Sequence, residues 1–262
     1  MRLQVATHRI AALRPVPVPR IRIAVVADLH ASRPAMGVRQ VAAIVDRVNA
    51  LRPDLICLLG DYAGHAWGNR ALAPEEVIPE LLRLDAPLGV IAVFGNHDWV
   101  DDGPAWRGEA GETHWHRAFA AAGIEALVNA ARPLDVGGTG ITLAGLDSQR
   151  AHGRRRGCGE DDWPAVEGRI DPGRFTILLA HEPDIFPDLP DHVDLTLAGH
   201  LHGGQVRLFG RAWICPSRYG TRYARGAFRE GSRQMVVSQG LGCSGLPLRF
   251  GATPEITLVE LG

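Results

Sequence analysis

The chain has 262 residues, of which 46% are hydrophobic and 22% are charged, and its formal net charge is -1. All 28 of its basic residues are arginines, which excludes mechanisms that need a lysine, such as phosphate-loop ATPases and Schiff-base enzymes. A near-neutral charge also argues against binding through a general basic surface, so we predict no nucleic-acid partner.

The composition predicts a soluble location. The chain shows neither the apolar run of about 7–15 residues that a signal peptide needs nor an apolar stretch of about 20 residues that could span a membrane. We expect a cytoplasmic protein without a transmembrane segment, with peripheral attachment to the membrane as the alternative. The cysteines form no Cys-x-x-Cys pair, which favours reduced thiols over a zinc ribbon. They are Cys57, Cys158, Cys215 and Cys243.

Short runs rich in Val, Ile and Leu recur along the chain and predict buried strands, because they lack strict alternation and end in turn residues. These runs cover residues 21–27, 54–59, 90–94, 175–180 and 194–198. Helical spacing of apolar residues predicts helices over 38–51 and 74–84. The tail predicts three further strands with few helices between them, over 212–214, 234–238 and 255–261.

The alternation of strand and helix in the first half of the chain predicts an α/β fold. The strand-rich tail indicates a second sheet, so we expect two packed sheets flanked by helices in one domain over residues 1–262. The polar, turn-rich stretch 149–171 is predicted to be a surface insertion that overhangs a site. Three prolines, Pro15, Pro17 and Pro19, predict a stiff lead-in to the first buried run.

Metal-ligand side chains follow five of the predicted strands, at the sheet edge where ligands bind in open α/β folds. The motifs are Asp28-Leu29-His30, Gly60-Asp61, Gly95-Asn96-His97-Asp98, His181 and Gly199-His200-Leu201-His202. Oxygen and imidazole ligands suit ions such as Mn, Fe or Zn, with Co or Ni as further choices. We expect the glycines Gly60, Gly95 and Gly199 to adopt conformations that residues with a Cβ avoid.

Seven candidate ligands exceed the needs of one tetrahedral ion and suit two ions that share a carboxylate. Two ions about 3.5–4 Å apart polarise a phosphoryl group and lower the pKa of a bridging water, so that hydroxide exists near neutral pH. The expected chemistry is in-line attack of this bridging hydroxide on the phosphorus of a phosphate ester.

In order and spacing, the five motifs resemble those of the calcineurin-like metallophosphoesterases. The resemblance implies a four-layer αββα sandwich with two mixed β-sheets and two metal ions. It implies one ion held by Asp28, His30, Asp61 and His202, and a second held by Asp61, Asn96, His181 and His200. Asp61 bridges the ions in this scheme. His97 resembles the family histidine that stabilises charge on the phosphoryl group or protonates the leaving oxygen.

Further motifs resemble a bacterial branch of this family, typified by the YkuE and YaeI phosphodiesterases. They are His181-Glu182-Pro183-Asp184, the Gly203-Gly204-Gln205 that follows His202, and residues 245–251 before Pro254-Glu255-Ile256. The resemblance implies a phosphodiesterase acting on a small-molecule or lipid-linked phosphoester. Alternatives are a pyrophosphohydrolase of the UDP-2,3-diacylglucosamine type, a cyclic-nucleotide phosphodiesterase and a non-catalytic metal-bound scaffold. An apolar groove beside the metals would favour a lipid substrate, and a closed polar pocket a nucleotide.

Several other residues have less specific signals. His65 and Arg33 are candidate substrate-binding residues, although a loop histidine is usually solvated and an arginine there commonly forms a salt bridge. Arg249 has the same two interpretations. Asp98 is expected to orient a neighbour or cap a turn. The remaining histidines are predicted to lie at the surface; they are His8, His114, His116, His152 and His192.

Overall fold

The computed structural model describes residues 3–152, 159–209, 211–212 and 215–262. Its α-helices are α1 (Val38–Ala50), α2 (Pro74–Leu81), α3 (Asn96–Val100), α4 (Gly103–Trp106), α5 (His114–Ala122) and α6 (Trp163–Glu167). Short 3-10 helices cover Pro183–Asp188 and His202–Gly204. In α1 the buried side chains recur at helical spacing, as predicted: Val41, Ile44, Val45 and Val48. The start of α2 is closed by Glu76, whose carboxylate accepts a hydrogen bond from the Ala73 N–H.

The strands of the described residues are β1 (Gln4–Ile10), β2 (Ile21–Val26), β3 (Ser32–Arg33), β4 (Leu55–Leu59), β5 (His65–Ala66), β6 (Arg70–Ala71), β7 (Val90–Val93), β8 (Glu125–Ala126), β9 (Ala130–Val136), β10 (Thr139–Gly145), β11 (Phe175–Leu179), β12 (Leu195–Ala198), β13 (Arg207–Leu208), β14 (Arg211–Ala212), β15 (Gly226–Glu230), β16 (Arg233–Val237), β17 (Ser244–Gly245) and β18 (Glu255–Leu261). The three tail strands were thus predicted in the right regions, although residues 213 and 214 lie outside the described part.

Two six-stranded sheets form the centre of the fold. The first has the order β1-β18-β2-β4-β7-β8, and the second has the order β15-β16-β12-β11-β10-β9. In the first sheet β2, β4, β7 and β8 run parallel, whereas β18 is antiparallel to β2. In the second sheet β10, β11, β12 and β16 run parallel between antiparallel edge strands β9 and β15. Both sheets are therefore mixed, as expected.

Three apolar clusters hold the layers together, and hydrophobic burial of this kind is the main stabilising contribution to a fold. Between the sheets, side chains of β2 and β4 such as Ile23 and Cys57 pack against Ile177 of β11. On the outer face of the first sheet the cluster includes helices α1, α2 and α5. On the outer face of the second sheet it includes α6 and the 3-10 helix Pro183–Asp188. The order of the layers is αββα.

Two predictions about segments need revision. The proline-containing lead-in is preceded by strand β1, which we did not predict. β1 is an edge strand whose side chains are mostly exposed or half-exposed, so it has no apolar run to mark it. The predicted insertion 149–171 is in part a packed layer: it contains α6, and Val166 is buried in the cluster outside the second sheet. Its residues 153–158, including Cys158, lie outside the described residues. No helix in the described part of the chain is long and apolar enough to cross a membrane.

Candidate metal centre

The predicted ligands lie together at one edge of the molecule, where the parallel strands of both sheets end. Asp28, Asp61 and Asn96 follow β2, β4 and β7 of the first sheet. The other four predicted ligands follow β2, β11 and β12; they are His30, His181, His200 and His202. Six of the seven are buried, with exposures between 0% and 6%, and Asn96 is half-buried. The site therefore combines loops from two sheets, and most of its side chains are buried.

One group consists of Asp28, His30, Asp61 and His202, whose ligand atoms all lie within 4.8 Å of one another. The Nε2 atoms of His30 and His202 are 3.2 Å apart. His30 Nε2 is 3.4 Å from Asp61 Oδ2, and His202 Nε2 is 3.7 Å from Asp28 Oδ1. These are the four residues that the family resemblance assigns to the first ion, and nitrogen and oxygen donors at these separations could hold one.

The second group consists of Asp61, His181 and His200, again with ligand atoms within 4.8 Å of one another. His181 Nε2 lies 3.2 Å from Asp61 Oδ2, the same oxygen that faces His30 in the first group. Asn96 Oδ1 is buried without a hydrogen-bond partner, and Asp61 Oδ2 and His181 Nε2 have no partner beyond the imidazole–carboxylate contacts within the cluster. Unsatisfied buried polar atoms are costly, so this arrangement fits a cation that they would bind together.

Hydrogen bonds to backbone carbonyls fix which nitrogen of three imidazoles faces the centre. His30 Nδ1 lies 2.9 Å from the Ala63 carbonyl and His181 Nδ1 lies 2.6 Å from that of Leu59. In His200 the nitrogen that faces a carbonyl is Nε2, which lies 3.3 Å from the Pro216 carbonyl oxygen. A carbonyl oxygen can accept only, so each of these nitrogens donates its hydrogen and leaves the other nitrogen free for a metal ion.

The backbone is strained at the same residues. Five of the seven predicted ligands have a positive φ: Asp28 (54°), His30 (44°), Asp61 (54°), His200 (71°) and His202 (51°). Residues with a Cβ rarely adopt this region, and each such residue costs of the order of 1–3 kcal/mol. Strain concentrated on one set of side chains indicates that their positions serve a function.

The glycines of the motifs differ in what they provide. Gly60 has a φ of 84°, which confirms the conformational role expected for it. Gly95 and Gly199 have no positive φ, so for them this expectation was wrong. They are required for space instead: a Cβ at Gly95 would collide with Asp61 Oδ1, and one at Gly199 would lie 2.8 Å from Asp28 Oδ2.

Ionisation in the cluster depends on burial and on the neighbouring charges. Burial lowers the pKa of His30 to about 4 and raises that of Asp28 to about 7. Burial also opposes ionisation of Asp61, but the imidazoles of His181, His97 and His30 together outweigh it and hold the pKa of Asp61 well below its usual value. Asp61 in turn raises the pKa of His181 despite its burial. A metal ion would displace this proton from His181, so metal binding strengthens as the pH rises.

Asp98 caps the loop that carries the ligands, which is the role expected for it. Its carboxylate accepts hydrogen bonds from the backbone N–H groups of Asp61, Tyr62, Ala63 and Gly95, at 2.9, 2.9, 3.0 and 2.9 Å. The side chain is fully buried. Asp98 therefore joins the turn after β4 to the turn after β7.

Replacing Asp98 by alanine is expected to lower the free energy of unfolding by roughly 3–5 kcal/mol, because four buried N–H groups would lose their acceptor. Urea denaturation measures this difference. Asp46→Ala is the control, since it removes an acid from an exposed ion pair with Arg83 that is worth at most about 1 kcal/mol. Equal losses for the two variants would contradict the capping role.

His97 lies beside the metal cluster and contacts an aspartate that the sequence analysis did not single out. Asp101 Oδ1 is 3.0 Å from His65 Nδ1, and Asp101 Oδ2 is 3.5 Å from His97 Nδ1. The two rings have centroids 4.4 Å apart. His97 Nε2 lies 3.2 Å from Ser244 Oγ. The spacing of four residues between His97 on α3 and Asp101, which directly follows α3, was the available signal for this contact.

The two arginines weighed for substrate binding differ in position. Arg33 is exposed and lies 3.5 Å from Glu76, so it forms the salt bridge expected as its alternative. It does not line the cavity above the metal cluster. Arg249 points inward: it donates to the carbonyls of Gly242 and Gln239, and its Nη2 lies 3.0 Å from His202 Nδ1. Arg249 therefore fixes the ring of His202 rather than forming either of the contacts expected for it.

Of the five histidines predicted at the surface, two are buried. His116 is 8% exposed and lies 3.4 Å from Asp147, and His152 is 7% exposed. Both pack around Trp99 behind α3. Their burial was not visible in the sequence, because the aromatic and acidic partners come from distant segments.

A cavity of about 580 Å³ opens above the cluster. At its floor lie Asp61, Asn96, His97, His200 and His202. Its walls are mostly apolar and include Trp67, Leu201, Val206, Leu208, Pro216 and Leu246. Arg150, Gln205 and Ser244 add polar groups to the lining. The cavity can therefore hold a molecule that combines an anionic group with an apolar one.

Comparison with known proteins gives relatives of the same kind. The chain is 34% identical over 220 residues to the metallophosphoesterase YkuE of Bacillus subtilis, covering 83% of this chain and 71% of that protein. It is 32% identical over 274 residues to the phosphodiesterase YaeI of Escherichia coli, covering 97% and 86%. A zebrafish "transmembrane protein with metallophosphoesterase domain" is 31% identical, and the chain spans 53% of its length.

The structure and the family comparison agree. The NAD nucleotidase NadN of Haemophilus influenzae has the same fold, with a TM-score of 0.54 at 14% identity, over 85% of this chain and 46% of that one. Residues 21–204 match the family described as calcineurin-like phosphoesterase. This match spans all five motifs, from Asp28 to His202. The chain therefore belongs to the calcineurin-like phosphoesterases, a family of phosphoric ester hydrolases.

Proposed function

We propose that this protein is a dinuclear metal-dependent phosphodiesterase whose substrate carries an apolar, lipid-like group. The observation that carries the proposal is the position of Asp61 Oδ2, which lies 3.4 Å from His30 Nε2 and 3.2 Å from His181 Nε2 at the floor of the apolar cavity. A carboxylate oxygen between two imidazole sets suits a bridging ligand.

In this proposal each ion takes the ligand set that the family resemblance implies. Asp28, His30, Asp61 and His202 hold one ion, and Asp61, Asn96, His181 and His200 hold the other. When bound, such a pair of ions polarises the phosphoryl oxygens and makes hydroxide available near neutral pH. The protein itself orients the ligands through the carbonyls of Ala63, Leu59 and Pro216.

His97 is proposed to stabilise negative charge on the phosphoryl group or to donate a proton to the leaving oxygen. Burial disfavours the charged ring, but Asp61 and Asp101 outweigh it and raise the pKa of His97. Metal ions would neutralise Asp61, whereas Asp101 lies outside the ligand set and keeps its effect. We propose that Asp101 positions His97 through Oδ2. Its other carboxylate oxygen, Oδ1, contacts His65 and holds that ring at the side of the substrate.

The walls of the cavity favour a lipid-linked ester over a cyclic nucleotide. Trp67, Leu208 and Leu246 offer apolar surface but few groups that could recognise a base and a ribose by hydrogen bonding. A pyrophosphohydrolase acting on a nucleotide-linked lipid stays the second candidate, because its acyl chains would need the same apolar walls. A non-catalytic scaffold is disfavoured, since all seven ligand side chains are present.

Hydrolysis of bis(p-nitrophenyl) phosphate with added Mn²⁺ tests the activity. We expect metal-dependent turnover by the native protein and a decrease in kcat of about 10²-fold for His97→Ala, since general acids contribute roughly 10²–10⁴-fold. The decrease is expected to be larger for a diester with an alkyl leaving group, because that oxygen needs the proton more.

His114→Ala provides the matched control, since His114 is an exposed histidine that pairs with Glu75 on the surface. It is expected to leave kcat unchanged. Absence of metal-dependent turnover, or an equal loss in the two variants, would show the proposal to be wrong.

A further inference from the structure

Exposed apolar side chains concentrate around the mouth of the cavity. Among the described residues eight large hydrophobic side chains are exposed, and six of them belong to three loops at this mouth. They are Trp67 (68%), Leu208 (38%), Phe209 (102%), Leu246 (48%), Leu248 (57%) and Phe250 (56%). We name these six residues the apolar collar. An apolar patch of this kind marks an interaction surface, because isolated exposed residues would be scattered.

Backbone and side-chain hydrogen bonds join the three loops into one surface. The N–H of Trp67 donates to the Gly245 carbonyl at 2.6 Å, beside the pairing of β5 with β17. Gln205 Nε2 donates to the carbonyls of Ser244 and Leu246, both at 2.9 Å. The N–H of Arg207 donates to the Phe250 carbonyl at 2.7 Å. The collar is therefore a continuous rim rather than three separate protrusions.

The charge of the collar segments is strongly positive. Residues 201–225 contain five arginines and no acidic residue, and residues 243–254 contain one arginine and no acidic residue. The whole chain, by contrast, has a net charge of -1. Arg218 and Arg222 pair with Asp188 and Glu230. Arg207 precedes Leu208 in the hairpin of β13 and β14, and its Nη1 donates to the Gly203 carbonyl at 3.0 Å. An apolar rim set in acid-free, arginine-bearing segments is complementary to an anionic lipid surface.

We propose that the apolar collar docks this protein onto an anionic phospholipid bilayer, with the cavity mouth facing the headgroups. Phe209 and Leu248 enter the boundary between headgroups and acyl chains, and the arginine-bearing segments face the lipid phosphates. This inference rests on the proposed function in one respect: the orientation would let a lipid-linked ester enter the cavity without leaving the bilayer. The docking itself requires no turnover and is measured separately.

Co-sedimentation with vesicles tests the docking. The native protein is expected to bind vesicles of phosphatidylglycerol and phosphatidylcholine in equal parts, more weakly at high salt, and to bind pure phosphatidylcholine poorly. The double variant Phe209→Asn, Leu248→Ser is expected to reduce the partition coefficient by about tenfold or more, because it removes two large apolar side chains from the contact.

Leu82→Ser is the matched control, because Leu82 is 55% exposed, close to the 57% of Leu248, and lies at the end of α2 away from the collar. It should bind like the native protein. Failure to bind the anionic vesicles, equal binding to both vesicle types, or equal loss in the control would overturn the proposal. So would a native dimer that the double variant converts to a monomer, since the collar would then bind a second copy of the chain.

Hydrolysis of soluble bis(p-nitrophenyl) phosphate separates this result from the proposed activity. Neither Phe209 nor Leu248 lines the cavity, so the double variant is expected to hydrolyse the soluble diester at the native rate. Docking without hydrolysis would leave the collar proposal standing and reject the phosphodiesterase. Hydrolysis without docking would support the phosphodiesterase and reject the collar proposal.

Discussion

Asp61→Asn is expected to reduce metal-dependent hydrolysis by at least about 10³-fold, because the change removes the charge shared by both ligand groups. Asparagine keeps the shape of the side chain and one oxygen, which can still accept the hydrogen bond that the His97 N–H donates to Oδ1 at 2.8 Å. The loss would therefore come from the metal centre rather than from the turn. Elemental analysis of the purified variant should show fewer ions per chain than in the native protein.

A buried carboxylate outside the centre gives the control for this variant. Asp147 is 3% exposed and accepts a hydrogen bond from Trp99 Nε1, but it belongs to neither ligand group. Asp147→Asn is expected to retain native metal content. A native metal content in Asp61→Asn would reject Asp61 as the bridging ligand, whatever its effect on turnover.

Removal of both metal ions by a chelator is expected to lower the melting temperature by roughly 15–30 °C. A ligand present at about 1,000 times its Kd stabilises the folded state by about 4 kcal/mol per site, and each kcal/mol shifts the Tm of a chain of this size by about 2–4 °C. In the metal-free protein Asp28 and Asp61 remain buried together, and the strained backbone of the ligands keeps its cost.

Calorimetry of the chelated protein, followed by addition of Mn²⁺, measures this effect. The metal should restore the native Tm, and Asp61→Asn should respond much less to chelator. A Tm that is independent of metal in the native protein, after elemental analysis has shown that ions were removed, would contradict a structural contribution of the centre.

The elements that the sequence predicted best are those with the simplest environment. Strands such as β4 and β11 are buried on both faces, so nearly every side chain is apolar and the run is visible in the sequence alone. Edge strands β1 and β9 were missed, because their side chains are half-exposed and their composition is mixed. Whether a strand lies at the edge of a sheet depends on which strands pair with it, and a single sequence does not contain that information.

The same contrast holds at the site. The seven candidate ligands could be singled out because each follows a predicted strand at the edge of the sheet where ligands bind. Asp101 and Arg249 were not, since their roles depend on contacts with His97 and His202 that are set by side-chain direction. The apolar collar was also unpredictable, because Phe209 and Leu248 are ordinary core-type residues until the fold leaves them outside.

The two sheets share the ligands between them: Asp61 and Asn96 follow strands of the first sheet, while His181 and His200 follow strands of the second. A chain in which one sheet has formed without docking on the other therefore holds only part of the candidate ligand set in place. Linkage is reciprocal: if docking of the sheets raises the affinity for the ions, then bound ions stabilise the docked sheets by the same free energy. A substitution in the interior between the sheets, for example at Ile177, would then weaken ion binding without touching a ligand. Ion affinity would report how well the two halves of the molecule are assembled.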